Sequence, residues 1–114
     1  MSDCIFCRII SKDVPSKVVL ETEQVVAFRD VNPQAPTHVL VVPKKHVARL
    51  SDLTESDAPL VASCLAAANQ VAAQEKLVES GYRVVANCGS GAGQSVWHVH
   101  FHVLGGRAMS WPPG

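Results

Sequence analysis

The chain lacks net charge: ten Lys and Arg balance ten Asp and Glu, for a formal value of zero. That removes the bulk electrostatic case for nucleic acid or an anionic membrane as partner. No apolar run approaches the ~20 residues that a membrane span requires. The N-terminus, Met1-Ser2-Asp3-Cys4, has no basic region followed by a long apolar stretch. No secretory leader is therefore expected, and the expected location is cytoplasmic. No strand-to-helix junction carries G-x-G-x-x-G or a P-loop, which argues against a doubly wound dinucleotide fold. There is no Ser-His-Asp signature, no carboxylate cluster to hold magnesium, no internal repeat and no linker. The 114 residues predict a single domain, 1–114, long enough for a real core. A hydrophobic content of 47% argues against disorder.

What the chain does have is one unusual stretch, Ser95-Val96-Trp97-His98-Val99-His100-Phe101-His102-Val103-Leu104, which holds three of the five histidines. A strand sends alternate side chains to opposite faces. His98, His100 and His102 would then share one face, and Val99, Phe101 and Val103 the other, packed on a core. A merely solvated face would be served equally well by Lys, Glu or Thr. Three imidazoles in register point to metal binding or catalysis. Same-face positions lie ~6.6 Å apart and metal–nitrogen bonds are ~2.0 Å, so one straight strand does not easily bring all three to one ion. At least one is left for other work.

The rest of the chain reads as an α+β fold. Residues 4–10 suit about one helical turn. Val18 to Glu21 and Val25 to Arg29 are β-rich runs joined by Thr22-Glu23-Gln24, a predicted hairpin. Asp30 to Thr37 holds Pro33 and Pro36 and reads as a rigid loop. His38 to Val42, almost wholly apolar, predicts a strand buried on both faces. One long helix is expected from Ser56 to about Val78. Thr54 and Ser56 both suit its N-cap, Pro59 favours Ser56 because it then falls in the first turn, and Gly81 is expected as its C′ residue. Val61, Cys64, Leu65, Ala68 and Ala72 form the buried stripe. Tyr82 to Ala86 is a fourth strand, and residues 87–94 are a glycine-rich loop leading into the histidine strand. The order β-β-β-α-β-β predicts an antiparallel sheet of about five strands, with the long helix covering one face and a short helix at the N-terminus.

Imidazole is a good nucleophile at neutral pH and also a proton shuttle. The middle histidine can attack phosphorus while a backbone carbonyl holds its other ring nitrogen, which favours His100. Flanking imidazoles would stabilise an anionic transition state. Glycines at 89, 91 and 93 let backbone N–H groups approach an anion. Ser95 can donate its hydroxyl to a phosphate or a leaving group. Asp30 and Asn87 suit hydrogen-bonding roles.

His98-Val99-His100-Phe101-His102-Val103-Leu104 resembles the His-x-His-x-His-x-x pattern of the histidine-triad (HIT) family. Phe28 to His38, Gly93-Gln94-Ser95, Gly105-Gly106-Arg107 and Trp111-Pro112-Pro113-Gly114 are similar to its HinT branch, so the resemblance covers nearly the whole chain. It implies a homodimeric purine nucleoside phosphoramidase that cleaves P–N bonds of adenosine or guanosine 5′-phosphoramidates, AMP joined to lysine among them. It implies His100 as the nucleophile, His102 beside the phosphate, and His38 orienting His100 by a hydrogen bond. His98 belongs to the same catalytic set. Asp30 matches the ribose ligand, and Ile5, Phe6, Ile9, Phe28 and Val31 the apolar base slot. Asn87, Gly93, Gln94 and Ser95 match the phosphate and leaving-group side. Trp111 matches a residue that reaches towards the partner's active site.

Cys4-x-x-Cys7 has the spacing of a zinc knuckle, and many HinT proteins lack the pair. A closed tetrahedral site needs two more ligands. With His38, His100 and His102 committed to chemistry, His46 and His98 remain. The same set resembles the zinc ligands of some bacterial relatives. A structural zinc at Cys4, Cys7, His46 and His98 is expected, and no other cofactor. A second apolar helix row, Leu60, Cys64, Ala67 and Val71, is offered for the dimer. The competing readings are a nucleotide- or zinc-binding adaptor with vestigial activity, and a dinucleoside polyphosphate hydrolase.

Overall fold

The computed structural model describes residues 3–114; Met1 and Ser2, which begin the segment read for a leader, lie outside the described residues. The elements are α1 (Ile5–Ile10), β1 (Val18–Glu21), β2 (Val25–Arg29), β3 (Thr37–Pro43), α2 (Ala58–Gln74), β4 (Tyr82–Val85) and β5 (Phe101–Gly105). The five strands form one antiparallel sheet in the order β1-β2-β3-β5-β4. β5 enters between β3 and β4, so the segment after the glycine loop reaches the middle of the sheet.

Both faces of the sheet are covered, which explains why β2 and β3 are apolar at nearly every position. Val25, Ala27, Val39, Val41, Val99, Phe101 and Val103 face α2, where Cys64, Ala67, Ala68 and Val71 meet them. Burial raises the Cys64 thiol to about 11, as expected of a small buried hydrophobe. Val26, Phe28, Leu40 and Val42 face the other way, against Phe6 and Ile9 of α1. α1 is only six residues long, too short to be stable alone. Tertiary contacts hold it, and it roofs the histidine face.

Five sequence expectations are corrected. The final strand begins at Phe101, not Ser95. Residues 95–100 are irregular, although Val99 still turns into the α2 core and its N–H donates to the Val47 carbonyl at 2.7 Å. α2 begins at Ala58 after a 3-10 turn over Glu55–Asp57. The Asp57 carboxylate accepts the Thr54 N–H at 2.9 Å and pairs with Lys45 at 3.1 Å, which fixes that turn ahead of the helix. The helix stops at Gln74, well before Gly81. Lys76 takes the left-handed conformation (φ 60°), and the Leu77 N–H returns to the Ala72 carbonyl, forming a Schellman cap. Leu77 is pulled into the core against Gly105, where an added Cβ would meet Leu77 Cδ1 at 2.6 Å. Finally, Cys64, Ala67 and Val71 are buried within the chain's own core, so that row is not free for a partner. Leu65, assigned to the buried stripe, is instead 43% exposed.

Candidate active site

The histidines lie on the α1 face, each in an environment that fixes its tautomer. In the β3–β5 pairing Leu40 is opposite His102 and His38 opposite Leu104. His38 and His102 are thus diagonal neighbours on one face. The Gln34 backbone N–H donates to His38 Nδ1 at 3.0 Å. That nitrogen must be an acceptor, so neutral His38 carries its proton on Nε2. From there it donates to His102 Nδ1 at 2.8 Å, with Asp30 Oδ2 at 3.4 Å. His102 in turn keeps its proton on Nε2. Burial depresses the pKa of both rings, His102 to about 4, with His100 and His38 repelling its charged form. Both are neutral at pH 7. A backbone amide on the Pro-rich loop thereby sets a donor on β5.

His100 is held differently. Its Nδ1–H donates to the His98 carbonyl at 2.7 Å, which leaves the Nε2 lone pair available. Phe6 meets the ring edge-on, with centroids 5.1 Å apart, and the His102 ring lies 5.0 Å away. The expected hydrogen bond from His38 to His100 is absent: His38 bonds to His102, and a carbonyl orients His100.

A cavity of about 440 Å³ opens in front of these rings. Its walls include Ile5, Phe6, Ile9, Phe28, Asp30, Val31, Ser95, His100 and His102, nine of the residues singled out from sequence. Phe28 and Phe6 pack edge to face at 5.4 Å, so one end is apolar and aromatic. Asp30 stands at the rim, its Oδ1 fixed by the Asn32 N–H at 2.8 Å. The walls also include Val14, Pro15, Ser16, Arg29, Leu40 and Val96, which sequence reasoning missed. Val14-Pro15-Ser16 carries no local signal of a site; the fold alone brings it to a wall shared with α1.

Other candidates lie elsewhere. His98 does not line the cavity; its ring is fully buried and turned to the cysteines, and only its carbonyl serves His100. Gln94 is buried and facing backbone. Its amide donates to the Ala48 and Val96 carbonyls at 2.9 and 3.0 Å and accepts the Gly89 N–H at 2.9 Å. Its side chain is a strut for the glycine loop and has no donor left for a phosphate. Asn87 and Gly93 also lie outside the cavity walls. Gly93 has φ 93°, and an added Cβ would stand 4.0 Å from Asn87 Nδ2. Trp111 is 81% exposed on the C-terminal tail, outside the cavity of its own chain.

Behind the site, one nitrogen or sulfur from each of Cys4, Cys7, His46 and His98 lies within 4.8 Å of every other. Cys4 Sγ and Cys7 Sγ are 3.4 and 3.6 Å from His98 Nδ1, and Cys7 Sγ is 3.3 Å from His46 Nδ1. The two imidazole Nδ1 atoms are 3.1 Å apart. Zinc bonds of ~2.3 Å to sulfur and ~2.0–2.1 Å to nitrogen give tetrahedral edges of ~3.6 Å for S–N and ~3.3 Å for N–N. The four distances above lie within about 0.3 Å of those edges. His98 Nε2–H donates to the Pro43 carbonyl at 2.8 Å, which presents Nδ1 as a ligand and supplies the outer hydrogen bond such sites use. The four residues fit a closed structural metal.

A family model for the HIT domain matches residues 11–109. The chain belongs to the HIT family. It is 47% identical to an uncharacterised HIT-like protein of Synechococcus elongatus, over 98% of this chain and 97% of that one. It is 51% identical to a 14 kDa zinc-binding protein of Zea mays, over 99% of this chain and 89% of that one. A HIT family hydrolase from Legionella pneumophila superposes with a TM-score of 0.97 at 50% identity, covering 98% of this chain and all of that one (100%). A histidine triad nucleotide-binding protein from Candida albicans gives 0.83 at 34% identity, over 96% and 83% of the two chains. The fold is that of HIT family hydrolases. Among the described residues, no helix is long and apolar enough to cross a membrane.

Proposed function

We propose that this HIT protein hydrolyses the P–N bond of purine nucleoside 5′-phosphoramidates through a nucleotidyl-histidine at His100. The observation that carries this reading is the single hydrogen bond from His100 Nδ1 to the His98 carbonyl, which points a lone pair into a nucleotide-sized cavity. The purine lies in the apolar end among Ile5, Phe6, Ile9 and Phe28, with Asp30 on the ribose hydroxyls. His100 Nε2 bonds to phosphorus and the P–N bond breaks. The amine departs with a proton, for which the Ser95 hydroxyl at the cavity wall is the donor. His102 Nε2–H hydrogen-bonds a non-bridging oxygen where negative charge gathers. Water then attacks phosphorus and breaks the P–Nε2 bond: its hydroxyl leaves with AMP or GMP, its other proton returns to Ser95, and His100 is restored. Incubation with a fluorogenic adenosine phosphoramidate tests the reading: AMP release with a matching free amine supports it, and an inert mixture overturns it.

The same reading includes a structural zinc at Cys4, Cys7, His46 and His98, supported by the tetrahedral edges above. Four protein ligands leave no position for substrate or water, so the ion would act by holding α1 to the β5 side of the fold. It also includes a homodimer in the cytoplasm.

A further inference from the structure

We propose that Arg107, just past the end of β5, is a positioning residue for the hydrogen-bonded pair His38 and His102, and that it acts through the backbone of Gln34. Its effect on turnover rests on the phosphoramidase reading; its effect on the two rings does not. The tautomer of His102 depends on one amide. The Gln34 N–H donates to His38 Nδ1 at 3.0 Å, which puts the His38 proton on Nε2, facing His102. Gln34 lies between Pro33 and Pro36. Proline fixes its own φ and restricts the residue before it, so the free torsions of this loop gather at Gln34. Three hydrogen bonds hold that residue. Its N–H goes to His38 and its side-chain Nε2–H to the Asn32 carbonyl, each at 3.0 Å and each within the loop and its ends. The third comes from outside: Arg107 Nε–H donates to the Gln34 carbonyl at 3.1 Å.

The end of β5 is shaped for this reach. Gly105 pairs with Thr37, and Gly106 follows at φ 90°. A Cβ on Gly106 would stand 2.9 Å from Pro36 Cβ, so only glycine lets the backbone turn this close to the loop. The turn sets Arg107 beside Gln34. Nη1 of the same guanidinium donates to the Ala108 carbonyl at 3.1 Å and steadies the group. Among the described residues no carboxylate pairs with Arg107. Its hydrogen bonds go to backbone carbonyls, so it fixes backbone and does not balance charge. Without it the Gln34 amide is free to swing off His38 Nδ1. The rings then exchange roles. His38 takes its proton on Nδ1, His102 donates Nδ1–H to His38 Nε2, and His102 Nε2 loses the proton that faces the phosphate. Asp30 is anchored separately, its carboxylate by the Asn32 N–H at 2.8 Å and its own N–H on the His38 carbonyl at 3.0 Å.

The test uses Arg107→Ala and Arg107→Lys, with Arg83→Ala as a control on the same tail, because Arg83 donates to the Ser110 carbonyl at 3.0 Å and not to the loop. Imidazole nitrogen NMR at pH 7 reads which ring nitrogen of His102 carries the proton. Wild type and Arg83→Ala should show Nε2–H alone. Arg107→Ala should show a mixture of the two tautomers, and Arg107→Lys, which restores a cationic donor, mostly Nε2–H. With an adenosine phosphoramidate, Arg107→Ala should lose about 10-fold in kcat, within what a displacement of ~1 Å costs. AMP affinity should change little, because Asp30 keeps its own anchors, and Arg107→Lys should recover most of the rate. A single Nε2–H tautomer in Arg107→Ala overturns the proposal, even if its melting temperature falls, since the arginine is then structural only. A kcat loss that Arg83→Ala matches overturns it too. Should Arg107→Ala fail to fold, Arg107→Gln, too short to span to the carbonyl, gives the same reading. If wild-type protein cleaves no phosphoramidate, the phosphoramidase reading fails, and the tautomer still decides the role of Arg107.

Discussion

The backbone carbonyl of His98 accepts the Nδ1 proton of His100 at 2.7 Å, while the His98 ring faces Cys4 and Cys7. One residue thus serves two sites. Its carbonyl sets the tautomer of the candidate nucleophile, and its imidazole belongs to the metal-type cluster. Phe6 ties them further, packing edge-on against both the His98 and His100 rings. Whatever fixes the cysteines also fixes Phe6, because Cys4 caps the helix that carries it and Cys7 is the next residue.

Replacing His100 by Ala should abolish turnover and leave AMP binding largely intact. The base slot and Asp30 do not depend on the imidazole, whereas covalent catalysis does. Loss of a nucleophile costs several orders of magnitude in rate. Steady-state kinetics with an AMP titration check this. A variant that keeps a tenth of the wild-type rate would exclude His100 as the attacking group.

Cys4→Ser or Cys7→Ser should lower bound zinc from about one per chain, reduce the melting temperature and weaken AMP binding. Metal binding and folding are coupled where a site joins separate elements. Here the joined element is α1, which brings Ile5, Phe6 and Ile9 to the cavity. Metal analysis of protein purified without chelator, with thermal melts and AMP titrations, gives the three readouts. Wild-type protein with far less than one zinc per chain would remove the metal.

Much of this arrangement is legible in the sequence, and what is not has a physical reason. The alternation of Val99, Phe101 and Val103 reads correctly because one face of that segment is buried under α2. The unbroken apolar run of β3 reads correctly because α1 and α2 cover its two sides. Helix α2 ends early because Leu77 has a place in the core, which no local signal shows. The partner of His38 is His102 and not His100, because diagonal neighbours depend on strand register and on β5 lying between β3 and β4. Gln94 looks like a phosphate ligand beside three glycines. It is a buried strut because its targets, the carbonyls of Ala48 and Val96, are brought together by folding alone.

His38→Asn should reduce kcat about 100-fold, the scale of a lost proton-handling group, with a smaller change in AMP affinity. The substitution removes the relay from the Gln34 N–H to His102, so the His102 proton is free to move to Nδ1. The pH profile separates this from a packing defect. A relay loss changes the shape of the kcat profile near neutrality, while a packing defect lowers it evenly.

Stability should fall as pH drops from about 6.5 towards 4. His102 is buried with its folded pKa lowered to about 4. An unfolded His binds its proton near 6.5, so between those values the unfolded state holds more protons than the folded one. The stabilisation is present above the unfolded value and is lost on acidification through the window, by roughly 3 kcal/mol at most for this group. His38 is shifted the same way by burial. The paired carboxylates Glu21, Asp57 and Glu75, all lowered, add losses only at more acid pH. Urea melts from pH 7 to 4 should show this slope, and His102→Asn should flatten its upper part. An unchanged slope in that variant would exclude His102 as its source.

Gln94→Ala should destabilise the chain by about 1–3 kcal/mol and also slow turnover. The substitution leaves the Gly89 N–H and the Ala48 and Val96 carbonyls without the partner they have now. An unsatisfied buried polar group costs about that much. Gln94→Glu distinguishes the strut from a phosphate ligand. The carboxylate it introduces can still accept from Gly89 but cannot donate to either carbonyl. That carboxylate would also repel a bound phosphate if it faced the cavity. A strut therefore predicts a lowered melting temperature with AMP affinity changed little. A direct phosphate contact predicts near-normal stability with AMP binding largely lost. The geometry around the buried amide favours the first outcome, and a melt paired with a titration on one variant decides between them.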